Sequence, residues 1–177
     1  MPSTPLLEIV LVLLLCLASL FDMAQRRIPN WLVAGGLLAA LALHGASAGA
    51  SALLTQWLGG CATGLMLFLP LYLLRAMAAG DVKLMMMVGA FCGVEPTLEI
   101  SLATYIAGGL MALVIVLVRG KGRQAASNVA TLLWPMFWRL CGVRLAPEPS
   151  NHTSVGTMPY ALAITAGTLA VLWWRNA

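Results

Sequence analysis

Aspartate occurs at only two positions in this chain, Asp22 and Asp81, and each stands at the margin of an apolar run long enough to approach the width of a bilayer. A carboxylate placed there costs roughly 2.5 to 3.5 kcal/mol on insertion scales, so residues of this kind are retained for a function. The surrounding sequence leaves few alternatives to a membrane fold. Hydrophobic residues make up 61% of the chain and charged residues 9%, and the mean hydropathy is +0.93. A water-facing surface needs more polar side chains than that.

Spanning the hydrocarbon takes about 20 apolar residues in a helix. By that measure the sequence predicts helices over Leu6 to Phe21, Trp31 to Ala48, Ser51 to Leu74, Ala78 to Gly93, Leu98 to Val118 and Met158 to Trp174. The expected fold is all-α, a polytopic membrane protein of about six transmembrane helices in one domain covering residues 1–177. The first run carries Glu8 and no preceding cation, and no small-residue cleavage site follows, so it reads as a retained helix rather than a signal peptide. Between the second and third helices the small residues from His44 to Ser51 predict a break.

Topology follows from the cations. With the amino terminus outside, Arg26, Arg27, Arg75, Lys83, Arg119, Lys121, Arg123, Arg139 and Arg144 fall inside, and only Arg175 falls opposite. That is a strong positive-inside bias. It puts Asp22, at the end of the first helix, and Asp81, at the start of the fourth, on the cytoplasmic side, with both termini outside. From Asp81 to Gly93 is about 20 Å of helix against about 30 Å of hydrocarbon, so Asp81 is expected below the inner surface, in a water-filled recess. The basic residues lie in short loops rather than on one face, which argues for lipid and against nucleic acid as the partner.

Around the aspartates the sequence is specific. After Asp22 comes Met23-Ala24-Gln25-Arg26-Arg27-Ile28-Pro29-Asn30-Trp31, in which Pro29 stops a helix, Asn30 suits an N-cap and Trp31 suits the interface. Around Asp81, Gly80 leaves room for an extended peptide, and Lys83 is expected to point away and snorkel to headgroups. In the third helix, Gly59, Gly60 and Gly64 predict close helix contact and Pro70 a kink. Met85-Met86-Met87 reads as a flexible lining for an apolar pocket. From Arg119 to Thr157 the chain reads as a cytoplasmic loop with an interfacial helix around Trp134, Phe137 and Trp138.

His44 and His152 have no partner at motif distance, the four cysteines form no CxxC pair, and two carboxylates alone make a poor metal cage. The expectation is therefore an active site with no metal and no cofactor. Two carboxylates at close range cannot both ionise comfortably. One then holds a proton while the other is charged, the division of labour by which aspartic proteases activate water and polarise a carbonyl. Each aspartate could instead serve as a helix cap.

Ala78-Ala79-Gly80-Asp81-Val82-Lys83-Leu84 resembles the GxGD motif of membrane aspartic proteases, extended in the manner of the type IV prepilin peptidases. Asp22 with Arg26-Arg27-Ile28-Pro29-Asn30 resembles the first-aspartate motif of that family, and Met158-Pro159-Tyr160-Ala161-Leu162-Ala163-Ile164 resembles its final-helix Pro-Tyr motif. The resemblance implies a GxGD-type fold with Asp22 and Asp81 as the catalytic pair, supported by Gly80, Lys83, Arg26, Arg27, Pro29, Asn30, Pro159 and Tyr160. It implies prepilins or pseudopilins as substrates, their basic leader cut on the cytoplasmic side of a bacterial inner membrane.

Two departures stand out. Ala78 replaces the first glycine of GxGD, where its methyl is expected to tighten the approach to the site, and Ala161 replaces a common glycine after Pro-Tyr. Larger relatives also carry a methyltransferase insertion with paired CxxC motifs between the first two helices. Here eight residues, Met23 to Asn30, fill that interval. The chain is thus similar to the short branch serving Flp, or tight-adherence, pili, with protease activity expected and methyltransferase activity not. Two competing readings are a small proton-coupled transporter and a noncatalytic pilus-assembly factor. The first is disfavoured because the outer helix halves offer only Glu8, Glu95 and Glu99 near their ends.

Overall fold

The computed structural model of the chain describes residues 5–74, 77–120 and 159–177, and for residues 47–52 the backbone alone. These residues are helical, with no strand among them. The helices are α1 (Pro5–Gln25), α2 (Asn30–Ala52), α3 (Gly59–Leu73), α4 (Ala79–Cys92), α5 (Val94–Val118) and α6 (Tyr160–Asn176), with a π-helical stretch at Leu53–Leu58. The chain is an all-α polytopic membrane protein. Among the described residues, three helical stretches are long and apolar enough to cross a bilayer: Pro5–Gln25, Leu53–Leu73 and Val94–Val118. The six helices expected are present, α4 at 14 residues and α6 at 17 being the shorter ones at about 21 and 26 Å.

Two compact units are distinguished, Met1–Gly109 with Pro159–Ala177, and Leu110–Met158. In the second, the described residues are the end of α5 and the turn at Arg119 and Gly120, where Gly120 takes a φ of 62°. The remainder of the interfacial segment predicted over 119–157 lies outside the described residues, as do His152 and Cys141.

In the first unit α4 is the central post, packed against α1, α2, α3 and α6. Burial on nearly every side explains its poor amphipathicity, since Val82, Leu84, Met85, Met87, Val88 and Ala90 all face protein. Met85 and Met87 are fully buried, so these methionines fill the core rather than line a pocket. Gly36 of α2 lies directly under the Met87 sulfur, where a methyl would collide with it.

Contacts give the directions. Asn30 meets Lys83 and His44 Nε2 meets the Ala90 carbonyl at 3.1 Å, so α2 and α4 run the same way. Gly60 meets Gly89 and Gly64 meets Met85, so α3 runs opposite to α4. At both crossings an added methyl would strike backbone of the facing helix. Small residues here let two helices approach without side chains between them, as Gly60 and Gly64 predicted.

Since α2 and α3 are antiparallel, the chain reverses between His44 and Gly59. It does so without a loop, passing from α2 through the π-helical stretch straight into α3. Trp57 fastens the reversal by donating from Nε1 to the Leu37 carbonyl at 3.0 Å. The predicted change of direction is present, with the chain helical through the small residues where a break was expected. Gly93 alone joins α4 to α5, with a φ of 83° and its N–H bonded to the Gly89 carbonyl at 2.9 Å. A left-handed residue ending a helix is ordinarily glycine, for want of a Cβ clash.

Candidate active site

α1 does not stop at Phe21 as its apolar run suggested but continues to Gln25, which puts Asp22 inside the last turn. Arg26 ends the helix in the left-handed conformation, φ 53°, with its N–H on the Asp22 carbonyl at 2.9 Å. Phe21 and Trp31 then meet edge to face, centroids 5.9 Å apart, and close the α1–α2 hairpin. Pro29, not Asn30, holds the N-cap position of α2. Its carbonyl accepts the first helical bonds, from Leu32 at 3.2 Å and Val33 at 3.4 Å.

The side chain of Asn30 is engaged elsewhere. Its Oδ1 accepts a hydrogen bond from Lys83 Nζ at 3.1 Å, so the lysine is held by protein where it was expected to reach for lipid headgroups. One step back along the linker, Ile28 lies against Gly80, where a methyl would meet it at 3.5 Å. The Asp22 linker is therefore laid along the first turn of α4, and that is how two segments far apart in sequence come together. Arg26 and Arg27 remain exposed.

Asp81 occupies the third position of α4. Its N–H donates to the Ala78 carbonyl at 3.2 Å, and its carboxylate accepts from the Ala78 backbone N–H, the half of a capping box that an acidic third residue supplies. Ala78 lies in ordinary extended backbone, φ −81° and ψ 152°, so alanine takes the place of the motif glycine without strain. Gly80 likewise has no left-handed φ, and a methyl on it would find ordinary contact.

Asp22 also sits at a helix start, although not its own. One carboxylate oxygen, Oδ2, accepts the backbone N–H of Ala161 in the first turn of α6, at 3.2 Å. The end of a helix leaves such N–H groups without intrahelical partners, and a carboxylate from a neighbouring helix satisfies one of them. Pro159 is the N-cap of α6. Both aspartates are buried, and Asp22 lies close enough for its charge to act on Asp81. Tyr160, from the same turn as Ala161, is within electrostatic reach of Asp81 and Tyr105. The structure thus gathers the end of α1, the start of α4 and the start of α6 around two carboxylates.

Three contacts near this cluster were not visible to sequence reasoning. Ser19, one turn before Asp22, hydrogen-bonds Thr165 of α6 at 2.8 Å. Gly108 of α5 lies against the Tyr160 ring, where a methyl would come within 2.7 Å of it. Tyr105 stacks on Phe68 with centroids 5.0 Å apart and donates to the Leu67 carbonyl at 2.7 Å. The Gly108-Gly109 pair within an apolar run was the one available sign of a close approach.

At the other end of α6, Arg175 makes a two-point ion pair with Glu99, both bonds 2.8 Å, and Asn176 donates to Glu8 at 2.9 Å. An open groove of about 640 Å³ lies there, lined by Glu99, Val171, Trp173, Trp174 and Arg175. It is remote from the aspartates, since Ala161 to Arg175 is about 21 Å of helix. Among the described residues, no three His, Cys, Asp or Glu side chains group in a way that would hold a metal ion.

What the site and fold define is a helical membrane protein that brings two carboxylates together at neighbouring helix ends. Comparison with protein families makes the assignment narrower. The model of the type IV leader peptidase family matches residues 9–113, well over half of the chain, and the chain belongs to that family. Its general role is that of a leader peptidase, and its substrate class is the prepilin. The matched residues contain Asp22 and Asp81 and end before Pro159 and Tyr160. Comparison with curated proteins and with solved structures finds no match.

Proposed function

We propose that this peptidase is a membrane-embedded aspartic endopeptidase that uses Asp22 and Asp81 as its catalytic pair and cuts the basic leader from Flp-type prepilins or pseudopilins. The observation that carries the reading is the meeting of Asp22 and Asp81, both buried and in electrostatic reach, at the packed ends of α1 and α4. Each carboxylate accepts a helix-end N–H, a task that a neutral amide oxygen performs as well. Two that share one proton are suited to peptide hydrolysis.

In this mechanism the charged aspartate takes a proton from water as the water oxygen attacks the scissile carbonyl carbon. The protonated one gives its proton to the carbonyl oxygen. Collapse of the tetrahedral species breaks the C–N bond: the leaving amine takes up the proton gained by the first aspartate, and one hydroxyl of the diol returns its proton to the second, which leaves the new carboxyl group and a pair that again holds one proton. The pair titrates as a unit. The Ala161 N–H on Asp22 and the Ala78 N–H on Asp81 fix one oxygen or face of each carboxyl group.

The placement of the site at the cytoplasmic side of a bacterial inner membrane is supported by the sequence pattern of nine cations in the segments on the aspartate side against Arg175 opposite. The Flp assignment, and the absence of methyltransferase activity, rest on the short linker. Only Arg26 to Pro29 separate α1 from α2, too little to hold a second domain. Arg26, Arg27, Pro29, Asn30, Lys83, Pro159 and Tyr160 serve as the supporting frame.

The test is cleavage of a leader-bearing prepilin by purified protein in detergent, comparing the native chain with Asp22→Asn and Asp81→Asn. Each variant is checked for folding by thermal unfolding. Both folded variants are expected to lose cleavage, because asparagine keeps the shape but neither takes up nor gives the proton. Cleavage surviving in either would overturn the two-aspartate mechanism. Intact native protein that cuts none of several prepilins would favour a transporter or an assembly factor.

A further inference from the structure

The Ser19–Thr165 contact lies one helical turn from the bond between Asp22 and Ala161. Ser19 and Asp22 are three residues apart on α1, and Ala161 and Thr165 four apart on α6, so each pair lies on one face of its helix. Thr165 Oγ1 donates to the Ala161 carbonyl at 2.9 Å. A hydroxyl has a single proton, so in the 2.8 Å contact between Ser19 and Thr165 the donor is Ser19. The direction is then settled: Ser19 donates to Thr165, Thr165 donates to the Ala161 carbonyl, and the Ala161 N–H donates to Asp22. All four residues are buried.

From this geometry we infer that Ser19 and Thr165 are positioning residues for the proposed catalytic pair, forming with Asp22 and Ala161 a two-point clamp that sets the register of Asp22. The inference rests on the reading of Asp22 as catalytic. One hydrogen bond between two helices leaves them free to rotate and slide about it. A second, one turn along, removes both freedoms. Asp22 lies on α1 and Asp81 on α4, and α6 packs against both helices, so a shift of α1 against α6 moves Asp22 within the frame that also holds Asp81. The work of the two carboxylates depends on their separation, and misplacement by about 1 Å can cost a hundredfold in rate.

A further polar tie between these helices, Asn176 to Glu8, lies at the far end, about 22 Å along α6 from Ala161. A polar pair facing hydrocarbon neighbours also resists exchange, because breaking it takes the acceptor from the Ser19 hydroxyl in an apolar interior, while Thr165 keeps its bond to Ala161.

The experiment measures prepilin cleavage by the full-length protein in detergent for Ser19→Ala, Thr165→Val and Thr165→Ser, with Asp22→Asn as the reference for loss of chemistry. Ser19→Ala and Thr165→Val are expected to lower kcat about ten- to a hundredfold with KM changed less than threefold, as a rough expectation for a residue that acts on the transition state alone. Thr165→Ser keeps the hydroxyl and is expected to restore at least half of the native kcat, again a rough figure. The pH profile of kcat/KM supplies a readout that loss of stability would not move. Loosening the pair weakens the coupling between the carboxylates, so the acidic and basic limbs are expected to draw together.

Native kcat and unchanged limbs in folded Ser19→Ala would overturn the clamp. So would a Thr165→Ser variant as impaired as Thr165→Val, since methyl packing would then be the cause. If Thr165→Val fails to fold, Ser19→Ala decides, because it removes one donor and adds no bulk. Activity in Asp22→Asn would instead defeat the catalytic reading itself, a result separate from either outcome for the hydroxyl variants.

Discussion

Lys83 Nζ donates to Asn30 Oδ1 across 3.1 Å, joining residues 53 apart in sequence. With Ile28 lying on Gly80, it fastens the linker that follows Asp22 to the helix that begins beside Asp81. The bond is exposed, so its energy is modest, but it has a position that matters. Asn30→Ala and Lys83→Ala are each expected to lower stability slightly, and the double variant to lose no more than the worse single one, a coupling of about 0.2–1 kcal/mol. A double-mutant cycle on thermal unfolding in detergent checks this. Additive losses would show that the two side chains act independently.

Arg26 carries the backbone cost of ending α1. Its φ of 53° brings the Cβ of an L-residue against its own backbone, worth roughly 1–2 kcal/mol, which glycine does not incur. Arg26→Gly is therefore expected to raise the unfolding midpoint, by about 1 kcal/mol in free energy once the added freedom of the unfolded chain is set against it. Unfolding in detergent, followed by tryptophan fluorescence, reads the sign directly. A lower midpoint would mean that the guanidinium makes contacts worth more than the strain.

The α3–α4 crossing is the tightest in the fold. A methyl on Gly60 would strike the Gly89 carbonyl, one on Gly89 the Gly60 carbonyl, and one on Gly64 the Met85 carbonyl. Backbone cannot step aside as a side chain can, so Gly89→Ala forces the helices apart and is expected to cost about 1–3 kcal/mol or more. Gly35 has nothing within 4 Å, and Gly35→Ala is the matched control, neutral or slightly stabilising through helix propensity. Equal loss in both variants would place the effect in the helix backbone rather than in the crossing.

Why some of this was legible in the sequence and some not follows from the range of the forces involved. Apolar runs mark helices because hydrocarbon leaves the backbone no other partner, and six of them were found. Their ends were less visible. α1 passes through Asp22-Met23-Ala24-Gln25 because polar residues there do not break a helix, and α5 begins at Val94 rather than Leu98 because Pro96 is tolerated in a first turn. The small residues near His44 signalled reversal, but not a π-helical one. Asp22 and Asp81 announced themselves by being charged in an apolar chain. Ser19 and Thr165 did not, because a hydroxyl satisfies itself on its own helix as readily as across to another, and only the register of α1 on α6 shows which it does.

Gly108 gives the sharpest separation of packing from chemistry. Its Cα faces the Tyr160 ring so closely that an added methyl would come within 2.7 Å of the ring and its hydroxyl oxygen. Tyr160 in turn stands in the turn that supplies Ala161 to Asp22, within electrostatic reach of Asp81. Further along the same seam, a methyl on Gly167 would meet the Thr104 backbone nitrogen, also at 2.7 Å. Both substitutions to alanine crowd α5 against α6, and both are expected to lower stability by about 1–3 kcal/mol. Only Gly108→Ala pushes on a side chain beside the carboxylates, so it alone is expected to lower the cleavage rate of the folded protein, roughly tenfold for a displacement of a fraction of an ångström. Prepilin cleavage measured well below each variant's unfolding midpoint distinguishes them. Equal rates for the two would mean that the position of the Tyr160 ring does not matter to the reaction.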